Sequence, residues 1–369
     1  MLTIDNVSKK LSGKTILHDI NLEFDCGVYG LLAPNGAGKT TLIKLLTTLL
    51  FPDSGSIRLD GEDIAALGER YRGQVGYLPQ DFGYYPSYTP RQFLRYIAAL
   101  QGMSRHGLDE RINTLLTMVG LSEVANKRMR TFSGGMIQRV GIAQALVHNP
   151  RILILDEPTA GLDPKERVRF RNIIHSLAAN RIVILSTHIV SDLETIAGHI
   201  VMLRDRTVYT NAAPSDICAS MAGHIYEVAA NTPLTEGQQL LSEVQYGGKT
   251  RLRIYSAKPI VGVANPLSSP TFSTPLTPNV ATSMSENTPA SSPETILANS
   301  PEFINTSKFT DSTENNANPE DNLGNPSNSG TSNDLGTPNG LLSTPNNPVM
   351  VSPNLEDAFL VIYGGGDDR

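Results

Sequence analysis

The sequence predicts an α/β fold built on a parallel sheet over residues 1–210, and two observations indicate it. Short apolar runs at "VYGLLA", "RILILDE" and "RIVILST" predict strands, and helical patterns follow them at "KTTLIKLLTTLL", "KERVRFRNIIHSLAAN" and "VSDLETIAG". Strands that are apolar throughout are typical of a sheet buried on both faces, and their alternation with helices indicates parallel pairing. The chain has 369 residues and is 40% hydrophobic, so it can bury such a core.

Three further parts are predicted beside this sheet. The stretch "GSIRLDGEDI" predicts an antiparallel hairpin and hence a small antiparallel β-subdomain. Helical spacing in "PRQFLRYIAALQGM" and "ERINTLLTMVGL" predicts an inserted helical lobe. Alternating stretches at "HIYEVAA" and "TRLRIYSA" predict a small β-containing accessory unit over residues 211–263.

The composition changes sharply over residues 264–353. This tract holds 13 of the 24 prolines and is otherwise dominated by Ser, Thr and Asn, without apolar periodicity. Such a sequence cannot bury enough apolar surface to offset the entropy of ordering its backbone, so we expect a disordered insertion. Apolar content returns over residues 354–369, where "NLEDAFL" predicts a short helix that docks back onto the domain.

Charge and composition restrict the function classes. The insertion carries eight acidic residues and one lysine, a net charge of −7, so the remainder of the −6 chain sums to about +1 and gives no indication of nucleic-acid binding. Two cysteines exclude a disulfide framework and fit a reducing compartment. Because the sequence has neither a long apolar run nor the pattern of a signal peptide, we expect a cytoplasmic protein.

The stretch "APNGAGKTT" predicts a phosphate-binding loop between a strand and a helix. It matches the motif G-x-x-x-x-G-K-[ST] except that Ala33 replaces the first glycine. Backbone amides and the helix N-terminus would surround a β-phosphate, Lys39 would bind the β and γ oxygens, and Thr40 would offer a hydroxyl to Mg²⁺. A dinucleotide fingerprint is disfavoured because "GAGKTT" lacks its last glycine. The predicted nucleotide contacts are Asn35, Gly36, Ala37, Gly38, Lys39, Thr40 and Thr41.

The stretch "RILILDE" predicts the other half of the site. Asp156 ends the apolar strand, so it would lie beside the phosphate loop if the two strands are neighbours, and there it could hold Mg²⁺ through water. Glu157 lies beside this metal ligand without being needed as one, so we predict that it is the general base for a hydrolytic water.

With "TFSGGMIQRVG", the order of the loop, "LDEP", "AGLD" and "STH" resembles the nucleotide-binding subunit of an ABC transporter, with a P-loop NTPase core of the ABC type. Ser133, Gly134 and Gly135 match the family's LSGGQ signature, while Phe132 and Met136 depart from its leucine and glutamine. In that family the signature faces the γ-phosphate bound to the other subunit.

The resemblance implies roles for four further residues. Gln80 in "GYLPQ" matches the glutamine that senses Mg²⁺ and the attacking water, and His188 in "ILSTH" matches the histidine that bonds the γ-phosphate. Asp163 in "AGLD" matches the aspartate that shapes the opposite subunit's site. Leu11 stands where the family usually stacks adenine on an aromatic ring, so we expect weaker discrimination between ATP and GTP than in a relative with tyrosine there.

The resemblance implies an ATPase that binds ATP and Mg²⁺, dimerises with a second copy or a close relative, and is peripheral on the cytoplasmic face of the membrane through a separate permease. The stretch "DFGYYPSYTPRQ" is a candidate for the permease contact, although its tyrosines fit ordinary packing equally well. "NLEDAFL" resembles the end of exporter subunits and favours export. The alternatives are an importer subunit, a soluble ABC-type ATPase acting on ribosomes or DNA, and a regulatory subunit with a dead site.

Overall fold

The fold is known from a computed structural model that describes residues 1–246, 248–260, 263 and 347–364. Within these residues the strands are β1 (Leu2–Leu11), β2 (Lys14–Phe24), β3 (Gly27–Leu32), β4 (Ser54–Leu59), β5 (Glu62–Asp63), β6 (Val75–Leu78), β7 (Ile152–Asp156), β8 (Ile182–Ser186), β9 (His199–Arg204), β10 (Thr207–Ala212), β11 (Ile225–Ala229), β12 (Gln238–Tyr246), β13 (Lys249–Ser256) and β14 (Val349–Met350). The α-helices are α1 (Lys39–Leu46), α2 (Ile64–Leu67), α3 (Glu69–Arg72), α4 (Pro90–Leu100), α5 (Leu108–Met118), α6 (Gly134–Ala145), α7 (Pro164–Ala178), α8 (Val190–Ile196), α9 (Pro214–Ser220) and α10 (Leu355–Tyr363).

The central sheet has six strands in the order β10-β9-β3-β8-β7-β6. The five strands from β9 to β6 pair in parallel, as the apolar runs predict, and β10 adds an antiparallel edge. All residues of β7 and β8 are buried. Alternate side chains enter two different cores: Leu153 and Leu155 pack with the helical lobe, whereas Ile152 and Ile154 pack with the antiparallel sheet and α1. This two-sided burial explains why these strands are apolar throughout.

The antiparallel β-subdomain is a four-stranded sheet in the order β2-β1-β4-β5. The predicted hairpin at "GSIRLDGEDI" is confirmed, because Arg58 pairs with Asp63 and Leu59 with Glu62. The larger hairpin of β1 and β2, in which Leu2 pairs with Phe24, was not predicted. Its register shifts between Ile4 and Lys10 interrupt the apolar alternation by which a strand is recognised.

The predicted helical lobe contains α4 and α5, which pack with α6 around a shared apolar core. The side chains of Thr89 and Gln92 form a capping box at the start of α4, and Pro90 occupies its first turn. Each side chain accepts a hydrogen bond from the other residue's backbone N–H, which fixes where the helix begins.

A third sheet, in the order β12-β13-β11-β14, lies in the C-terminal part of the chain. Most of the predicted insertion, 264–353, lies outside the described residues, but its last residues do not fit the prediction of disorder. Val349 and Met350 pair with Glu227 and Tyr226, so backbone pairing to β11 orders this end. The following helix, α10, starts with a capping box at Asn354.

Among the residues described, none of the helices combines the length and the apolar content needed to cross a bilayer.

Candidate active site

The loop between β3 and α1 has a backbone that glycine makes possible. Gly36 and Gly38 have φ values of 81° and 108°, in the region that disfavours side chains. A Cβ at Gly38 would also lie 2.6 Å from a methyl of Leu17 and 3.2 Å from the carbonyl of Ile16. Ala33 precedes these turns with a negative φ and is buried, so its methyl group is accommodated where the motif usually has glycine.

Lys39 begins α1 and turns its ammonium towards the loop. Its Nζ donates to the carbonyls of Ala33 and, at 3.2 Å, of Pro34. Burial lowers the pKa of Lys39, while the charges of Glu157 and Asp156 act in the opposite direction. The first amides of α1 have no carbonyl partner within the helix, so the ammonium and these N–H groups together favour an anion.

Asp156 ends β7 on the same edge of the sheet. The Ser186 hydroxyl, at the end of β8, donates to Oδ1 of Asp156 at 2.6 Å and so fixes the carboxylate. The prediction placed Asp156 beside the loop on the condition that the two strands are neighbours. They are not neighbours, because β8 lies between β3 and β7. Asp156 still reaches the loop region, since carboxyl ends of parallel strands share one edge of the sheet.

Glu157 and His188 form a hydrogen-bonded pair. Oε2 of Glu157 lies 2.7 Å from Nδ1 of His188 and also accepts from the His188 backbone N–H at 3.3 Å. Glu157 adopts a left-handed backbone with φ of 49°, and its N–H donates to the hydroxyl and the carbonyl of Ser186, each at 3.1 Å. The Glu157 side chain is only 12% exposed, whereas that of His188 is 65% exposed. The turn after β7 therefore holds the carboxylate at a sheltered position.

These groups converge on one cavity of about 610 Å³. It is lined by Ile16, Asn35, Gly36, Gly38, Lys39, Thr40, Thr41, Gln80, Asp156, Glu157 and His188. Ten of these eleven residues were predicted from the sequence, and Ile16 was not. No chemical signal marks Ile16, because it is one apolar residue within a strand.

Leu11 is not among the residues that line this cavity. It is the last residue of β1, pairs with Lys14 at the tip of the hairpin, and is 37% exposed. The apolar wall of the cavity is supplied instead by Ile16, two residues beyond Lys14 on β2. Ala37 also lies outside this lining, and its N–H donates to the carbonyl of Pro34 at 3.3 Å.

The signature residues lie at the start of α6, outside the cavity lining. The Ser133 hydroxyl accepts from the Met136 N–H at 3.2 Å, and Gly134 and Gly135 form the first turn. A Cβ at Gly135 would lie 3.0 Å from the side chain of Glu166, so this face of the signature contacts α7.

Glu166 connects the signature with Asp163. Asp163 caps α7 by accepting from the Glu166 N–H at 2.8 Å. The Glu166 carboxylate lies 3.1 Å from Nε of Arg139, which is on α6 and is itself buried. Sequence reasoning missed Glu166 and Arg139, although the position of Glu166 at the third residue of a capped helix is a recognisable signal.

The oxygen donors at the cavity suit magnesium. The residues predicted for Mg²⁺, namely Thr40, Gln80 and Asp156, offer a hydroxyl, an amide oxygen and a carboxylate. Magnesium prefers oxygen ligands and usually combines one or two carboxylates with water and substrate phosphates. The donor set fits that ion.

Comparison with known families matches residues 17–160 to the family described as ABC transporter. The chain is 38% identical over 208 residues to the uncharacterized ABC transporter ATP-binding protein YxlF of Bacillus subtilis (strain 168), covering 56% of this chain and 68% of that protein. It is 32% identical over 225 residues to the linearmycin resistance ATP-binding protein LnrL of the same organism, covering 60% and 72%. It is 32% identical over 238 residues to the Nod factor export ATP-binding protein I of Burkholderia lata, covering 64% and 78%.

Solved structures show the same similarity. An ATP binding subunit of an ABC transporter aligns with a TM-score of 0.54 and 30% identity, covering 60% of this chain and 92% of that one. A dimeric bacterial ABC transporter cassette aligns with a TM-score of 0.51 and 26% identity, covering 58% and 98%. The parallel sheet and the glycine-containing loop between β3 and α1 thus define a P-loop nucleotide-binding protein. The chain belongs to the ATP-binding proteins of ABC transporters, and it is an ATPase that binds ATP.

Proposed function

We propose that this chain hydrolyses ATP to power export of a substrate through a separately encoded permease. The observation that carries the proposal is the convergence of Lys39, Asp156 and the Glu157–His188 pair on one cavity. A regulatory subunit with a dead site would not need a carboxylate held in hydrogen-bond contact with a histidine beside a phosphate loop.

In the proposed reaction each of these side chains has one role. Lys39 and the amides of residues 35–40 bind the β and γ phosphates, and Thr40, Gln80 and Asp156 would hold Mg²⁺. Bound Mg²⁺ would neutralise charge on the phosphate oxygens during transfer. Glu157 accepts a proton from the attacking water, and His188 orients the carboxylate and bonds the γ-phosphate through its exposed ring.

We further propose that each site is completed by a second subunit, either another copy or a close relative. Ser133, Gly134, Gly135 and Asp163 lie outside the lining of the chain's own cavity, as expected if they serve the cavity of a partner. The helix N-terminus and side-chain-free backbone at the signature suit a phosphate. The similar ABC transporter cassette that was solved as a dimer supports this arrangement.

The proposed direction of transport is export. The similar protein of Burkholderia lata is named for Nod factor export, and the LnrL protein for linearmycin resistance. The sequence "NLEDAFL", which resembles the end of exporter subunits, covers the start of α10. An importer subunit is the alternative that these observations favour less.

The proposed permease contact is the aromatic cluster that follows Gln80. Tyr84 and Tyr88 pack partly against the core, which fits the packing interpretation, but Tyr85 is 46% exposed. Its ring lies 5.1 Å from that of Tyr88 and 5.5 Å from that of Tyr96. A partly exposed aromatic surface is typical of an anchor for a partner helix. Through this contact the chain would lie on the cytoplasmic face of the membrane.

We also propose the division of the chain into an ATP-binding domain, 1–210, and an accessory unit, 211–263, followed by an insertion and a C-terminal segment, 354–369, except that residues 211–212 complete β10 of the central sheet. The separate sheet formed by β11 to β14 supports the accessory unit. Residues 349–350 are added to that unit because they form its edge strand.

Purification of the tagged chain from membranes of its own organism in mild detergent tests this proposal. We expect an integral-membrane protein to co-purify with the wild type, and to be lost with Tyr85→Asp while the basal ATPase rate of the purified variant is unchanged. The exposed Tyr209→Asp is the matched control and keeps the partner. Co-purification of ribosomes or DNA in place of a membrane protein would contradict the proposal and favour the soluble alternative.

A further inference from the structure

We propose that Tyr363 is a positioning residue for the phosphate loop, and that α10 couples the C-terminal sheet to nucleotide binding. The Tyr363 hydroxyl lies 2.9 Å from the carbonyl oxygen of Leu203 and 3.3 Å from that of Leu32. Leu32 is the last residue of β3 and directly precedes Ala33, the first residue of the loop. The end of a helix that lies more than 300 positions away in sequence therefore contacts the backbone from which the loop departs.

The contact continues along the outer side of the loop. A cavity of about 280 Å³ has Pro34 and Ala37 of the loop on one side and Val361, Ile362 and Tyr363 of α10 on the other. The carbonyl of Pro34 accepts from the N–H of Ala37 and from Lys39, so this wall belongs to the turn that holds the ammonium. A displacement of the last turn of α10 would therefore move the residues that face Pro34 and Ala37 of the loop.

The other end of α10 is fixed to the C-terminal sheet. Arg253 of β13 donates from Nε and Nη2 to the two carboxylate oxygens of Asp357, each at 2.7 Å. The side chains are 14% and 4% exposed, and Glu227 of β11 also lies 3.3 Å from Nη1 of Arg253. Bidentate geometry fixes orientation as well as distance, so α10 cannot rotate freely against this sheet.

These contacts make α10 a connection with two fixed ends. One end is bonded to β13. At the other end the single hydroxyl proton of Tyr363 is shared between the carbonyls of Leu203 in β9, at 2.9 Å, and Leu32 in β3, at 3.3 Å. Leu355, Ala358 and Ile362 are buried in the core of the ATP-binding domain along its length. Through α10, a rearrangement of the C-terminal sheet displaces the loop and so changes the affinity for ATP. This inference rests on the proposed role of residues 33–41 in ATP binding.

The test measures the Kd for ATP and the melting temperature of full-length variants. Tyr363→Phe removes one hydroxyl and keeps the ring, and we expect it to raise the Kd for ATP by about 2-fold to 10-fold, the range that one hydrogen bond supplies. The kcat at saturating ATP should stay within about 2-fold of the wild type, since the hydroxyl does not contact the reacting groups.

Tyr71→Phe is the matched control. Its hydroxyl also donates to a backbone carbonyl, that of Leu46, at 2.6 Å, but Tyr71 is buried in the core of the antiparallel sheet and not in the core that holds α10. This variant should lower the melting temperature and leave the Kd for ATP unchanged. An equal rise in Kd for both variants, or an unchanged Kd for Tyr363→Phe, would overturn the proposal.

Arg253→Lys tests the coupling from the opposite end. Lysine keeps the charge but loses the bidentate pair, so we expect a rise in the Kd for ATP and a smaller additional effect of Tyr363→Phe in this background. Fully additive effects would overturn the coupling through α10. Lys39→Ala separates a failure of this inference from a failure of the proposed function. If Lys39→Ala binds ATP with wild-type affinity, the assignment of the phosphate loop is wrong. If Lys39→Ala loses affinity while Tyr363→Phe and Arg253→Lys keep it, only this inference is wrong.

Discussion

Oε2 of Glu157 lies 2.7 Å from Nδ1 of His188, and the two residues follow neighbouring strands, β7 and β8. The same Oε2 also accepts from the His188 backbone N–H, so the carboxylate is fixed by both the ring and the main chain of one residue. In the proposed reaction, the other carboxylate oxygen would accept the proton of the attacking water.

Glu157→Gln should lower kcat by at least about 100-fold, because an amide cannot take the proton that a general base removes. The Kd for ATP should stay near the wild-type value, since Lys39 and the loop amides are untouched. Release of inorganic phosphate and equilibrium binding measure the two quantities. Glu123→Gln, at an exposed glutamate outside the residues that line the cavity, is the control and should hydrolyse normally. A wild-type rate for Glu157→Gln would disprove the assignment of the base.

His188→Ala should also lower kcat, and its effect should not add to that of Glu157→Gln. Residues that act as one unit give a double variant scarcely worse than the more damaging single variant. The same phosphate-release assay, applied to both single variants and the double variant, measures this coupling. Full additivity would show that the 2.7 Å contact is not used in the reaction.

The chain should bind ATP and GTP with similar affinity. Ile16 supplies the apolar wall of the cavity, and Leu11 lies at the hairpin tip, so neither side chain can donate or accept hydrogen bonds that distinguish the two bases. Competition binding with the two nucleotides measures the ratio, and Ile16→Ala should weaken both to the same degree. A strong preference for ATP would contradict this prediction.

The ion pair of Asp60 should give a pH-dependent contribution to stability. Hydrogen bonds from Arg151 and from the amino group of Met1 lower the pKa of Asp60 from 3.8 to about 2. A carboxyl whose pKa is lowered on folding stabilises the protein above its unfolded value, and the contribution is lost as the pH falls from 3.8 through about 2.

The difference in unfolding free energy between the wild type and Asp60→Asn should therefore shrink as the pH is lowered through this range. The difference at neutral pH should be small and should decrease with added salt, because the Asp60 and Arg151 side chains are 49% and 54% exposed. Urea titrations at several pH values measure it. A difference that grows on acidification would have the wrong sign for this ion pair.

Local patterns predicted the elements that carry the site. β3, β7 and β8 are apolar throughout because both of their faces are buried, and the loop and carboxylates follow directly in the sequence. Eight of the eleven residues lining the cavity could be named for this reason, and the resemblance to the ABC transporter family added Gln80 and His188. The order of the strands could not be predicted, because nothing in the apolar runs specifies that β8 separates β3 from β7.

Contacts between distant parts of the chain also could not be predicted from sequence patterns. Ile16 is one apolar residue among many, and its place in the cavity depends on how β2 packs against the loop. Likewise, nothing local in "NLEDAFLVIY" shows that Tyr363 reaches the carbonyls of Leu32 and Leu203. Such positions depend on tertiary packing and not on periodicity.

The central claim is that ATP is hydrolysed at a site shared by two subunits, with Lys39 and Glu157 from one and Ser133 from the other. Mixing Glu157→Gln with Ser133→Arg tests it most directly, because each variant alone forms only defective sites, whereas a mixed dimer contains one complete site. We predict that each variant alone is inactive and that an equal mixture recovers up to about a quarter of the wild-type ATPase rate, as expected for one intact site in half of the dimers. A mixture no more active than the two variants measured separately would contradict the account.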